Sequence, residues 1–147
     1  MQKLAFEHQF RFSKLHEKRA EVMAELYRLL VVTEKDCQRF TLDVVLSNED
    51  QQHIEELLRA AAKSADKLKS YFGVNQIYFD ESLCVVLKSF VDESFKVAVY
   101  YYESSEKISA REKDALKNFW DKSMNEIPLI KREIENNFRM LMGNMQS

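Results

Sequence analysis

Residues 15–44, LHEKRAEVMAELYRLLVVTEKDCQRFTLDV, contain neither glycine nor proline. Within them Leu15, Val22, Leu26, Leu29, Thr33, Cys37, Phe40 and Val44 recur at three- and four-residue steps or their sum, the spacing of a single helix face. The stripe continues upstream, less cleanly, through Phe12 and His8, so a first helix is predicted from about Leu4 to about Val45. On another face Glu21 follows Lys18 and Arg28 follows Glu25 at the i,i+3 spacing of complementary charges, which marks a solvated surface. A helix this long with one apolar stripe needs other helices to cover it.

The remaining punctuation is sparse, with two glycines and one proline in 147 residues, and it cuts the chain into three further helices. Ser47-Asn48 supplies an N-cap for a second helix, 48–72, carrying Ile54, Leu57, Leu58, Ala61, Ala65, Leu68, Tyr71 and Phe72. Gly73 is placed to close it in the left-handed conformation, and Ala60-Ala61-Ala62 permits a close helix approach. Asp80 caps a third helix, 80–103, with Leu83, Leu87, Phe90, Phe95, Ala98 and Tyr102 inward. Its segment FKVAVYYY has strand-like composition, yet it continues the helical period and has no partner strand. Ser109-Ala110-Arg111-Glu112 fits a capping box for a fourth helix, 109–142, bearing Leu116, Phe119, Trp120, Ile127, Ile130, Ile134, Phe138 and Leu141 up to Gly143. Pro128 inside it predicts a kink near Met124.

Short connections make successive helices antiparallel, so residues 1–147 are predicted to form one all-α domain, an antiparallel up-down four-helix bundle. The predicted helices are about 60, 37, 36 and 50 Å long, so the first and fourth outreach the others. In this topology their excess falls at the same pole. That pole collects Leu4, Phe6, Phe10 and Phe12 with Phe138, Met140, Leu141, Met142 and Met145. Two helices alone do not bury so many large apolar groups, and a patch of this kind marks a partner-binding surface, for which flexible methionines are suited. The plainer reading is ordinary core at the end of a bundle.

Composition narrows the class. Apolar residues at 46% and charged residues at 31%, with a formal net charge of -2, describe a globular chain without a broad electrostatic footprint for nucleic acid. The N-terminal basic residues Lys3, Arg11, Lys14, Lys18 and Arg19, interleaved with aromatics, are interrupted by Glu7, Glu17 and Glu21, so neither RNA nor an anionic membrane surface is the expected partner. The two cysteines, Cys37 and Cys84, both fall on predicted helices and read as reduced thiols. No leader-like apolar run opens the sequence and none approaches the roughly 20 residues that span a bilayer, which places the chain in the cytoplasm.

Specific chemistry is thin. A di-iron bundle needs inward Glu-x-x-His pairs, and among His8, His16 and His53 the nearest approximation is Asp50-Gln51-Gln52-His53 in a first helical turn, so no metal or other cofactor is expected. There is no G-x-S-x-G elbow, no activated-thiol pattern, and no phosphate loop with glycines only at 73 and 143. One spacing has a chemical reading: Arg11 and His16 fit the R-x4-6-H pattern of HEPN ribonucleases, in which arginine holds a phosphate and histidine moves a proton at the 2′-hydroxyl. So loose a spacing also arises from two surface residues on a long helix, and HEPN domains place it late in the bundle.

Residues 5–30, AFEHQFRFSKLHEKRAEVMAELYRLL, resemble a recurring segment, FEHQ-x-RFSKLHEKRAEV-x-AELY, of a family of uncharacterised bacterial proteins. NQIYFDESLC at 75–84 is similar to that family's N-R-I-Y-F-P-E-D-I-C, with Asp80 where proline often stands. The resemblance implies an all-helical domain, preceded in longer members by coiled-coil-like sequence, so this chain would be a short member or a piece of a longer one. It carries no reaction, cofactor or catalytic residue. The resulting expectation is a non-catalytic interaction or scaffolding module, self-associating or binding a helical protein through its first helix and the apolar pole, with the HEPN-like ribonuclease as the alternative.

Overall fold

The computed structural model describes residues 2–45, 51–103 and 110–146. The side chains of Leu4, Phe6, His8, Phe10, Phe12, Val44, Phe95, Ala98, Tyr102, Glu112, Leu116, Trp120 and Met145, and the whole of Ser47, Asn48 and Ser109, lie outside the described residues. Four helices follow in order, α1 Gln2–Val45, α2 Gln51–Val74, α3 Glu81–Glu103 and α4 Ala110–Gln146, with a 3-10 turn at Gln76–Tyr78. Each helix packs on its neighbours in the cycle α1, α2, α3, α4 and back to α1. Cross-helix pairs run in opposite directions along α1–α2, His53 with Asp43 and Ser64 with Thr33, and along α3–α4, Ser82 with Glu133 and Glu93 with Lys122. This is the up-down bundle with long first and fourth helices, and the FKVAVYYY segment is helical through Glu103.

The core follows the predicted stripes but is broader. Val22, Met23, Leu26, Leu29 and Leu30 from α1 meet Leu68 and Phe72 of α2, Leu83, Leu87, Phe90 and Val91 of α3, and Ile127, Ile130, Ile134 and Leu141 of α4. A second cluster, Phe40 with Ile54, Leu58 and Ala61, joins α1 to α2 at the far end. Polar groups inside the bundle turn back onto helix carbonyls: Thr33 Oγ1 donates to Leu29 O at 2.8 Å and to Ser64 O at 3.2 Å, and Ser123 Oγ donates to Phe119 O at 2.9 Å. Satisfying those hydroxyls removes the penalty of burying them.

Two local expectations need correction. Gly73 does not stop α2 in the left-handed conformation, since the helix continues to Val74 and Gly73 has no positive φ of that kind. The turn is closed instead by Asn75, whose Nδ2 donates to Tyr71 O at 2.9 Å and whose backbone N–H donates to Phe72 O at 3.2 Å, with Phe79 stacked on Phe72 at 6.1 Å. Gly143 likewise lies within α4, which runs on to Gln146. Pro128 is accommodated within the same continuous helix. Asp80 behaves as predicted, its Oδ1 accepting the Leu83 N–H at 2.9 Å. Asp80→Ala is expected to cost about 1 kcal/mol, read as a lower thermal midpoint with unchanged helix content at 20 °C.

The length mismatch is real but differently distributed from the expectation. Tyr27 faces Glu135 and Glu34 faces Lys131, and at equal rise this register sets Gln146, the end of α4, opposite about position 16 to 19 of α1. Arg19 Nε donates to Tyr78 O at 3.3 Å, which puts the α2–α3 connection at the same level. Residues 2–15 of α1, about 21 Å of helix, therefore extend past α2, α3 and α4 alike. Leu15, predicted to face inward, is 49% exposed because no other helix reaches it.

Candidate functional site

The predicted apolar pole divides into two places. Phe138 stands beside Met23, Ala24 and Tyr27, so the Phe138–Met142 end of α4 lies roughly eight residues or more, about 12 Å, from Phe12 and further from Phe6 and Phe10. The structure does not bring the two sets together. Leu141 is buried in the core at 4% exposure and is removed from any docking surface, Phe138 is half-buried, and Met140 and Met142 are exposed. Leu4, Phe6, Phe10 and Phe12 occupy the part of α1 beyond its neighbours, and their side chains, like that of Met145, lie outside the described residues.

What sequence reasoning missed is the seam between α1 and α4 above Phe138. Ala20, Ala24, Tyr27, Val31 and Glu34 form one line on α1, and Lys131, Glu135, Phe138 and Met142 form one on α4. They flank a groove of about 390 Å³ whose floor is Met23 and Ile134 and whose walls include Ala24, Tyr27, Phe138 and Arg139. Exposed Val31 and Met142 continue its apolar character at either end. The small side chain of Ala24 leaves room in the groove wall that a leucine there would fill.

Polar groups fix one end of this seam. Tyr27 Oη donates to Glu135 Oε1 at 3.1 Å, and the carboxylate accepting that proton, with burial second, raises the phenol above its ordinary range. Lys131 Nζ lies 2.5 Å from Glu34 Oε2, an ionic contact rather than a directed hydrogen bond. The two side chains keep 27% and 19% of their exposure, so the pair is partly screened. Lys131→Ala is expected to cost about 1–3 kcal/mol by leaving a largely buried carboxylate unpaired, whereas changing both residues to leucine costs less than either single alanine. A double-mutant cycle in urea checks this.

A second hollow of about 280 Å³ lies between α1 and α2, where Arg28, Lys63 and Lys67 surround Asp36, and Asp36 itself accepts the Ser64 hydroxyl. On its rim Arg28 is held by Glu25 at 2.6 Å, the predicted i,i+3 pair, and Lys18 meets Glu21 at 3.9 Å. No basic surface emerges from this arrangement.

The chemistry candidates are dispersed. Arg11 is exposed and His16 is buried at 6%, and five residues along a helix turn them about 140° apart, so they do not share a face on which one phosphate could meet both. His53 pairs with Asp43 at 2.7 Å across the α1–α2 end, far from either. Among the described residues no three histidine, cysteine, aspartate or glutamate side chains are grouped to hold a metal, and no helix is long and apolar enough to cross a membrane. Cys37 and Cys84 are both free and half-buried, and burial first, then the Asp36 charge, pushes the Cys37 thiol up to about 12. No protein-family model, no curated protein and no solved structure matches the chain.

Proposed function

We propose that the chain is a non-catalytic association module that binds a helical protein segment through the free first turns of α1 and the adjoining α1–α4 seam. The observation that carries this reading is the register: about four turns of α1 carry Phe6, Phe10, Phe12 and Leu15 beyond every other helix of the bundle. A helix that runs on beyond its neighbours gains most of its stability in water when a partner packs along it. The seam next to it offers a groove between two helices, the shape that receives an amphipathic helix.

The test is a photo-reactive phenylalanine analogue in place of Arg139, an exposed residue with a large side chain on the groove wall, introduced into the chain in its native cells. A discrete covalent adduct, with a second copy or with another protein, is the expected outcome. A chain that gives no adduct and is strictly monomeric by light scattering overturns the reading.

A further inference from the structure

We draw no further inference here: the strongest candidate, the apolar groove between α1 and α4 floored by Met23 and Ile134, belongs to the site already described, and nothing in the structure shows what covers it.

Discussion

Phe90→Ala is expected to lower the stability of the bundle by about 3–5 kcal/mol, the largest effect of any single truncation proposed for this chain. Phe90 is 2% exposed and is among the largest fully buried side chains. It belongs to the central cluster, where α3 meets residues from all three other helices. Removing its ring loses the transfer energy of the buried carbons and leaves a cavity that helices fixed on several sides cannot fully close. In urea the midpoint falls while the slope stays constant, because the native and unfolded surfaces remain nearly the same. Phe90→Leu retains most of the volume and is expected to cost about 1.5 kcal/mol or less. Val85→Ala, on the same helix but 66% exposed, is expected to change stability by no more than about 0.5 kcal/mol. Equal effects at 85 and 90 would contradict the orientation of α3.

The second large effect is a pH dependence that appears only in alkali. Cys37 packs against both core clusters, and burial followed by the neighbouring Asp36 moves its thiol from 9.0 to about 12. The folded state therefore favours the protonated thiol. That contribution is fully present below pH 9 and is lost as the pH rises toward 12, because the unfolded chain releases the proton first. The slope is at most about 1.4 kcal/mol per pH unit, or about 2.7 kcal/mol lost from Cys37 by pH 11, and partial exposure of the residue makes this an upper limit. Urea unfolding at pH 8, 9, 10 and 11 should show a steeper loss in the natural chain than in Cys37→Ala, where only the smaller contributions of the raised Tyr27, Tyr71 and Cys84 groups remain. The same placement predicts that thiol reagents at pH 8 modify Cys84, whose thiol is raised less, before Cys37. Simultaneous modification of both would contradict the burial of Cys37.

Much of the fold was legible because helical period and caps are local properties. The stripe from Val22 to Phe40, the inward Leu83, Leu87 and Phe90, and the Asp80 cap are all where spacing placed them. Helix ends were less legible at the glycines. Glycine permits a left-handed stop without requiring one, and at Gly73 the Asn75 amide bonds back to Tyr71 O and closes the turn one residue later. Leu15 was misread because periodicity shows which residues share a face but not whether a neighbour reaches that face. The spacing between the two parts of the pole was not legible for the same reason. Phe6 and Phe138 belong to the same pole by topology, yet only the register set by Tyr27–Glu135 and Glu34–Lys131 shows how far apart they are. One signal in the sequence did bear on the groove, the small Ala24 beside Met23 and Tyr27.

The free end of α1 also has a thermodynamic character distinct from the rest of the molecule. An isolated helix of fewer than about 12–15 residues must bear the cost of its own first turn, with an equilibrium factor near 10⁻³. Residues 2–15 grow from a helix that the bundle already holds, so that nucleation step is supplied and only propagation remains, with a factor of about 1–1.6 per residue near 0 °C for good helix formers. With propagation this close to unity, the reach of α1 is expected to be graded, shortening on warming by turns rather than in the cooperative step expected of the bundle. A partner packed along it, as proposed, would add to every propagation step at once, so the ellipticity of these few turns would gauge association, separable from global unfolding by its shallow slope with temperature.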